Sequence, residues 1–346
     1  MTTQSMMFQE AAQAPACCAA QLADNADAVR AAAARLRALD APFVATLARG
    51  SSDHAAAFAK VLIETHLRLP VLSHAPSIGA LYNATSPKMR GVPLLVLSQS
   101  GRSPDLLGAA QAAQDQGAVI VALVNDTESP LAAMADILIP LRAGPEKSVA
   151  ATKSFIATLT ALAQLVAEWG EDQPLRDALA HTRETLEAAW QLDWSEALPP
   201  LKDRTSLLVL GRGLTFPIAC EAALKFKETS ALHAEAFSSA EVAHGPMTLI
   251  EQGDPVLVFG PRDIARTGLK DRIAAFAERG ATVIATGEPE DIAAAGIALP
   301  GLPSVHPVLD AIAVIQSFYR LANALSLARG RDPDHPPYLS KVTRTL

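Results

Sequence analysis

The sequence predicts an α/β protein built from two similar, doubly wound parallel sheets in tandem. Short apolar runs of strand length alternate with segments of helix length, which is typical of parallel βαβ units. The second half also repeats the first, because three pairs of matching segments keep nearly the same separation along the chain. These pairs are Arg49-Gly50 with Arg212-Gly213, Pro93–Leu97 with Pro255–Phe259, and Gly117–Ala122 with Gly280–Ala285. A repeat in one register indicates a duplicated unit.

The length of 346 residues allows two domains of ordinary size, and half of the residues are hydrophobic, which is enough to fill two cores. The predicted organisation is an N-terminal helical segment, a first domain, a charged helical linker, a second domain and a C-terminal tail. Their predicted boundaries are residues 1–40, 41–170, 171–200, 201–330 and 331–346.

Composition excludes several classes of protein. The net charge is −7 and the chain has no long basic run, which argues against nucleic-acid binding. The richest apolar stretch, Ile156–Ala167, carries Thr158, Thr160 and Gln164 and is too short to span a membrane. The N-terminus lacks the basic region of a signal peptide. The three cysteines form no metal-binding pattern, so we expect a cytoplasmic protein without a metal or other cofactor.

The first half is expected to alternate strands and helices after an Ala-rich helical start. Phe43–Ala48 is a short apolar strand that ends in Arg49-Gly50-Ser51-Ser52, and a helix is predicted to follow. The later predicted elements of this half are strands at Pro70–Ser73, Pro93–Leu97, Ala118–Val124 and Ile137–Pro140, a helix that ends near Gln116, a loop at Ala143–Lys153 and a helix that ends at Trp169.

The segment Ser98–Ser103 (SQSGRS) follows a strand of fully buried type and precedes a helix. Ligands of doubly wound sheets bind outside the carboxyl ends of the strands. Hydroxyls together with successive main-chain N–H groups at a helix N-terminus suit a phosphate group. The GxxxxGK[ST] spacing of a P-loop is missing. The alternative is an ordinary Ser/Gly turn that caps a helix.

The segment after Gly211-Arg212-Gly213 is predicted to form a helix with Thr215 as its N-cap. Helical spacing places Glu221, Lys225 and Glu228 on one face. The residues predicted to lie opposite and to pack on the sheet are Ala219, Ala222, Ala223 and Phe226. The alternative is a solvated face, because Glu and Lys at this spacing commonly pair in water.

Two further residues are candidates on weaker grounds. His244 precedes Gly245-Pro246 in a predicted loop, and an imidazole titrates near neutrality, which suits acid–base work. A loop histidine is more often merely solvated. Lys341 lies in the C-terminal tail, and such tails are usually frayed.

Four phrases in this order resemble the isomerase part of glucosamine-6-phosphate synthase, which consists of two sugar isomerase (SIS) domains. They are SQSGRS, EAALKFKETSALHAEAF at Glu221–Phe237, EVAHGP at Glu241–Pro246, and YLSK at Tyr338–Lys341. The start, Met7–Glu10, is similar to the tether helix of that family. The glutaminase domain of the synthase is not expected, because Thr2 stands where its nucleophilic cysteine would be.

The resemblance implies a hexose 6-phosphate substrate that bears nitrogen at C2, or its keto counterpart. It implies that Glu228 moves a proton between C1 and C2, that Glu221 and Lys225 support the open-chain sugar, and that His244 helps to open the ring. Lys341 would reach the substrate carbonyl from a tail that closes the site. The residues implied to bind the phosphate are Ser98, Gln99, Ser100 and Ser103, and those implied to contact the sugar are Ser52 and Val149.

The chain departs from the synthase pattern at two places. Arg102 replaces an acidic residue, and Ala151 replaces a ligand-contacting serine. These departures resemble the SIS-type glucosamine-6-phosphate deaminases, which implies conversion of glucosamine 6-phosphate to fructose 6-phosphate and ammonia. An ammonia-dependent synthase, a fructosamine-6-phosphate deglycase and a non-catalytic sugar-phosphate-binding module remain as alternatives. The resemblance also implies a homodimer with shared active sites.

Overall fold

The computed structural model describes residues 5–341, which form helices and parallel strands in alternation. The helices are α1 (Met6–Ala12), α2 (Ala14–Asp24), α3 (Ala26–Leu39), α4 (Ser51–His66), α5 (Pro76–Ala80), α6 (Pro104–Asp115), α7 (Pro130–Met134), α8 (Lys153–Trp169), α9 (Gln173–Leu179), α10 (Thr182–Gln191), α11 (Leu198–Lys202), α12 (Thr215–Ser230), α13 (Leu269–Glu278) and α14 (Pro307–Ala328). The strands are β1 (Val44–Leu47), β2 (Val71–Ser73), β3 (Pro93–Ser98), β4 (Val119–Val124), β5 (Ile137–Pro140), β6 (Ser206–Gly211), β7 (His233–Ser238), β8 (Pro255–Phe259), β9 (Thr282–Thr286) and β10 (Ile297–Ala298).

The strands form two five-stranded sheets of the same topology. The first sheet has the order β2-β1-β3-β4-β5, and the second has the equivalent order β7-β6-β8-β9-β10. The strand pairings of the described residues are all parallel. The chain order reverses direction between β1 and β3, and again between β6 and β8. The prediction of two similar, doubly wound parallel sheets is therefore confirmed, and each sheet has one topological switch point.

The chain divides into two compact units, each built around one sheet, and segments of both halves of the sequence enter each unit. The first-sheet unit comprises Ala14–Glu146, Lys153–Arg183 and the described part of Leu339–Leu346. The second-sheet unit comprises the described part of Met1–Gln13, Lys147–Thr152 and Glu184–Tyr338. The domain boundaries expected from the sequence remain a prediction.

The first sheet is buried on both faces at its centre. Every residue of β3 is buried, and so is every residue of β4 after Val119. Strands covered by helices on both faces have continuous apolar sequences, which explains the PLLVL run. One polar side chain of α2 joins that helix to the rest of this unit, since Gln21 donates to the carbonyls of Leu141 and Ala157 at 2.7 and 3.0 Å.

The second sheet packs against α14, the longest helix of the described chain. Phe318 of α14 meets Phe226 of α12 edge-on, with ring centroids 5.0 Å apart, and lies 6.0 Å from Phe259 of β8. The helix is long and apolar enough to cross a membrane by length and composition, but 72% of its most apolar window is buried inside the structure. Such burial is typical of the core helix of a globular unit.

Two local predictions differ from the structure. Thr215 is the first residue of α12 and not its N-cap, because its hydroxyl donates to the carbonyl of Phe259 at 2.8 Å and so ties the helix to β8. The segment His233–Ser238 forms an edge strand, which the sequence analysis did not predict.

Candidate active site

The hydroxyl-rich segment after β3 forms a tight turn at the switch point of the first sheet. The Ser98 hydroxyl, which is largely buried, accepts a hydrogen bond from the main-chain N–H of Gly101 at 2.9 Å. Gly101 has φ +63°, and a Cβ at this position would lie 2.2 Å from Oγ of Ser129. Only glycine meets both conditions, because it tolerates positive φ and has no Cβ to clash. The turn therefore depends on Gly101.

Two arginines anchor this turn within the first-sheet unit. Arg102 donates through Nε and Nη2 to Asp126 at 3.0 and 2.8 Å, and these bonds hold the pKa of the Asp126 carboxyl below its usual range. Arg49, at the end of β1, donates through the same two nitrogens to buried Asp105 of α6 at 2.9 and 2.7 Å. A forked guanidinium–carboxylate pair fixes orientation as well as distance. The loops after β1 and β3 are thus held at one edge of the sheet.

The residues predicted to bind the phosphate, together with Ser52, which is predicted to contact the sugar, lie on these two loops or on the helices that follow them. Ser103 is the N-cap of α6, and its side chain makes no capping hydrogen bond to its own helix. Ser52 lies in the first turn of α4, which leaves the neighbouring strand β1. Gln99 and Ser100 lie between Ser98 and Gly101 and are half-buried. The structure therefore places all five side chains at the carboxyl edge of adjacent strands.

The charged cluster of α12 is assembled as its spacing predicted. Nζ of Lys225 lies 3.3 Å from Oε1 of Glu221 and 2.5 Å from Oε2 of Glu228. Glu221 and Lys225 are fully buried, and the hydroxyl of Tyr319 on α14 donates to Glu221 at 3.4 Å. The alternative of a solvated face is therefore wrong, because two of the three charged side chains lie in the interior.

Lys225 remains a cation in this setting. Burial by itself would lower the pKa of its ammonium group, but the carboxylates of Glu221 and Glu228 outweigh that effect and raise the pKa above its ordinary value. A buried charge persists only where it is paired and hydrogen-bonded, and Lys225 has two carboxylate partners. Lys225 is thus a fixed positive charge that orients both glutamates.

Glu228 is the member of the cluster that reaches the surface. Its side chain is 22% exposed, whereas those of Glu221 and Lys225 are at most 1% exposed. A carboxylate that is held by a fixed cation and is open on one side can accept and return a proton. Of the three side chains, Glu228 is the one placed to act on a bound molecule.

The other candidates of the second-sheet unit lie on short irregular segments. His244 ends a 3₁₀ turn, Glu241–His244, and is exposed. Within residues 5–341 its side chain makes no hydrogen bond or ion pair, so the described contacts do not join it to Glu228. Val149 is half-buried, and its main-chain N–H donates to the carbonyl of Asp334 at 3.3 Å.

Lys341 is held in the first-sheet unit by a buried carboxylate. Its Nζ lies 3.1 Å from Oε2 of Glu146, which is fully buried. Glu146 also accepts from the hydroxyl of Ser154 at 2.6 Å and from its main-chain N–H at 3.2 Å, at the start of α8. The tail is therefore fixed at Lys341.

Several residues of these sites were not found from the sequence. In the sequence, Arg49 was recognised only as part of the repeat. Asp105, Asp126, Glu146 and Tyr319 were not identified as candidates. Their partners lie far away along the chain, for example 195 positions between Glu146 and Lys341. For Asp105, Asp126 and Glu146, the available sequence signal was an acidic residue within an apolar or Gly/Pro-bearing stretch. Many surface positions share this signal, so it does not identify a site residue.

Two tandem doubly wound sheets, one with a hydroxyl-rich loop at its switch point, define a two-domain α/β protein with a candidate ligand site at the carboxyl ends of its strands. The chain belongs to the SIS domain family, whose model matches residues 40–168 and 201–296. The resemblance drawn from the sequence motifs is thereby confirmed.

The chain is similar to three proteins of known sequence or structure. The glutamine–fructose-6-phosphate aminotransferase (isomerizing) of Thermococcus kodakarensis is 33% identical over 307 residues, which are 85% of this chain and 51% of that protein. The chain thus spans about half the length of the curated relatives that it matches. A solved protein from Silicibacter pomeroyi DSS-3, which carries a provisional assignment as a phosphosugar isomerase, is 43% identical with TM-score 0.90 over 95% of this chain and 100% of that one.

The third is the glucosamine-6-phosphate deaminase of Thermotoga maritima, which aligns with TM-score 0.79 over 98% of this chain and 100% of its own length. Its identity of 21% shows a shared fold alone.

Proposed function

We propose that this protein deaminates glucosamine 6-phosphate to fructose 6-phosphate and ammonia. The observation that carries the proposal is the ionic cluster of α12, in which buried Lys225 holds the partly exposed carboxylate of Glu228. Interconversion of an aldose and a ketose moves a proton between adjacent carbons, and one positioned carboxylate can make both transfers.

The proposed chemistry needs a base, a source of charge stabilisation and water. Glu228 removes the proton from C2 of the open-chain aldehyde and returns it to C1, while the C1 oxygen takes a proton. The nitrogen at C2 gives up one proton, which balances the proton gained by the C1 oxygen, and is left as an imine, which water hydrolyses to the ketone with release of ammonia. The fixed charge of Lys225 orients Glu228 before the first transfer.

The proposal assigns the substrate phosphate to the loop after β3. The hydroxyls of Ser98, Ser100 and Ser103 and the N-terminus of α6 supply donors for phosphate oxygens. Gln99 of the same loop and Ser52 of α4 add polar contacts. Arg102 is committed to Asp126, so its role is to hold the loop in place.

The remaining assignments follow the family resemblance. His244 would open the sugar ring, and its exposure is consistent with a role at a site completed by a second copy of the chain. Lys341 would reach the substrate carbonyl. Its ion pair with Glu146 holds the Lys341 side chain in a defined place. Val149 would contact the sugar.

The synthase direction is the second candidate, because the relative from Thermococcus kodakarensis is a glutamine–fructose-6-phosphate aminotransferase. The departures at Arg102 and Ala151 favour the deaminase. An assay of ammonia release distinguishes the two, with glucosamine 6-phosphate, galactosamine 6-phosphate and fructosamine 6-phosphate as substrates. The reverse assay supplies fructose 6-phosphate and ammonium.

We expect ammonia and fructose 6-phosphate in equal amounts from glucosamine 6-phosphate, with turnover near the usual range of about 1 to 10³ per second. Net formation of amino sugar under physiological ammonium, with no measurable release, would support the synthase instead. Tight binding of the panel without any turnover would support the non-catalytic module. Protein with Glu228→Gln, prepared in parallel, controls for contaminating activity.

A further inference from the structure

The loop Lys147–Val149 is held by a buried carboxylate from the N-terminal helix. Glu10 of α1 accepts hydrogen bonds from the main-chain N–H groups of Lys147 and of Ser148, the latter at 3.1 Å. Glu10 is 7% exposed although it is charged and close to the chain terminus. A buried carboxylate that receives two main-chain donors fixes the direction of both peptide groups. The loop conformation therefore depends on Glu10.

Asp334 joins the same loop to α1 and to the root of the C-terminal tail. Its carboxylate accepts from the main-chain N–H groups of Met6 and Met7, both at 2.7 Å, at the start of α1. Its carbonyl accepts from the N–H of Val149 at 3.3 Å. Asp334 is 8% exposed and precedes the tail segment that leads to Lys341. Two buried carboxylates thus connect three segments that are far apart in the sequence.

Helix α1 is itself a firm support for these contacts. The ring of Phe8 packs against Trp190 with centroids 4.8 Å apart. Gln316 of α14 donates to the carbonyl of Ala11 at 3.1 Å, and Ser5 is hydrogen-bonded to Asn323. A helix of only seven residues is marginal by itself, so its order comes from this packing. The position of Glu10 is therefore set by α14.

We propose that Glu10 and Asp334 are positioning residues of the active site, which set the main chain of Lys147–Val149 and the root of the tail. The inference rests on the proposed function, in which Val149 contacts the sugar and Lys341 its carbonyl. Each carboxylate accepts from two main-chain donors, so the proposed role is to position these segments and not to react with the substrate. Their loss should displace the loop and weaken substrate binding while the acid–base cluster of α12 stays intact.

Amide variants test this role with little change of volume. In Glu10→Gln and Asp334→Asn, an NH₂ group replaces one acceptor oxygen and faces a main-chain N–H, so one hydrogen bond of each pair is lost. We expect KM for glucosamine 6-phosphate to rise about tenfold or more and kcat to change less than about threefold, the pattern of lost uniform binding. Glu10→Asp keeps both acceptor oxygens and should recover part of the lost affinity.

Asp172→Asn is the matched control. Asp172 caps α9 in the first-sheet unit by accepting from the N–H of Leu175 at 3.0 Å, and it has no part in the proposed site. We expect this variant to lower the melting temperature by an amount similar to Glu10→Gln with KM unchanged. Equal effects of the two variants on KM, or an unchanged KM in Glu10→Gln, would overturn the positioning role.

Hydrogen exchange separates this inference from the proposed reaction. In ligand-free protein, Glu10→Gln should speed exchange at the amides of Lys147, Ser148 and Val149, and Asp172→Asn should not. The dissociation constant of fructose 6-phosphate, measured by calorimetry, should rise about tenfold in Glu10→Gln. The ratio of the dissociation constants of Glu10→Gln and wild type tests the positioning role even if the wild-type protein binds without turnover. Ammonia release by the wild-type protein tests the proposed function. Unaltered exchange and affinity in Glu10→Gln would refute the inference.

Discussion

At the scale of single residues, the different roles proposed for Glu228 and Lys225 follow from the different burial of their side chains. Lys225 lies inside the second-sheet unit and keeps its charge through two carboxylate partners. Glu228 shares that cation and still presents about a fifth of its side chain to the surface. An interior cation next to a surface carboxylate can orient the base without itself taking part in proton transfer. The cluster is thus ordered before a substrate arrives.

This difference gives a direct test of Glu228. Glu228→Gln keeps the size of the side chain and one acceptor for Lys225 but removes the basic carboxylate. We expect kcat for ammonia release to fall by about 10² to 10⁴, with the affinity for fructose 6-phosphate largely kept. Steady-state kinetics and calorimetry measure the two effects. Glu235→Gln, at an exposed position of β7, is the control and should match wild type.

Near-normal turnover in Glu228→Gln would mean that another group moves the proton. A parallel loss of turnover and of fructose 6-phosphate affinity would indicate damage to the site as a whole. The control distinguishes both results from a general effect of removing one negative charge from the second-sheet unit.

The three charged residues of α12 also show what spacing predicts at this scale. Helical periodicity was enough to place Glu221, Lys225 and Glu228 on one face, and the observed ion pairs confirm this. Spacing could not decide whether the face is solvated, because the covering group is Tyr319 of α14, 98 positions from Glu221. Burial of a helix face is set by distant parts of the chain.

At the scale of elements, the turn after β3 has two structural requirements that Gly101 alone meets. The turn needs positive φ at Gly101 and also close approach to Ser129. Gly91, at the start of the same βα unit, has φ +73° but no heavy atom within 4 Å of an added Cβ. A comparison of alanine variants at these two positions therefore distinguishes the effect of backbone strain from the effect of a steric clash.

We expect Gly101→Ala and Gly91→Ala to cause similar backbone strain but to differ in their effect on substrate binding. Each alanine pays about 1 to 2 kcal/mol for the left-handed backbone. Only Gly101→Ala must also displace Ser129 or the turn itself, which moves the donors proposed to hold the phosphate. KM for glucosamine 6-phosphate should therefore rise about tenfold or more in Gly101→Ala and stay near wild type in Gly91→Ala. Equal KM values would show that the turn does not bind the substrate.

The strands of the second sheet show where element prediction fails. The buried strands β6, β8 and β9 are apolar runs and were expected. Edge strand β7 (HAEAFS) contains one fully buried residue, Ala234, and has no clear alternation. Its strand conformation comes from parallel pairing with β6, in which Ser206 lies opposite His233 and Gly211 opposite Ser238. Tertiary pairing outweighs weak local preference at such an edge.

At the scale of the whole molecule, the sequence repeat predicts the two sheets but not how the chain is shared between the units. Each sheet follows from local strand patterns and one repeated order, and that part of the fold was predicted. The loop Lys147–Thr152 belongs to the second-sheet unit, although the residues on both sides of it belong to the first. That assignment depends on hydrogen bonds that the loop donates to Glu10 and Asp334, which are long-range contacts without a local pattern.

The exposure of His244 leads to a test of assembly. If two copies of the chain share their active sites, His244 of one copy serves Glu228 of the other. Chains with Glu228→Gln and chains with His244→Ala are each inactive as homodimers. In a mixed dimer, one site carries both lesions and the other site carries none. After unfolding and random re-association at equal amounts, about a quarter of all sites should be intact, as the two-fold symmetry of a dimer requires.

The expected result is thus recovery of about a quarter of wild-type ammonia release from two inactive proteins. Re-association of each variant alone is the control and should recover nothing. If His244 serves Glu228 of its own chain, every site in a mixed dimer carries one lesion, and the mixture stays inactive. Sedimentation measured on the same samples decides whether dimers are present, and a monomer with full wild-type activity would exclude shared sites altogether. Because the His244 side chain is exposed and makes no hydrogen bond or ion pair within residues 5–341, we expect complementation.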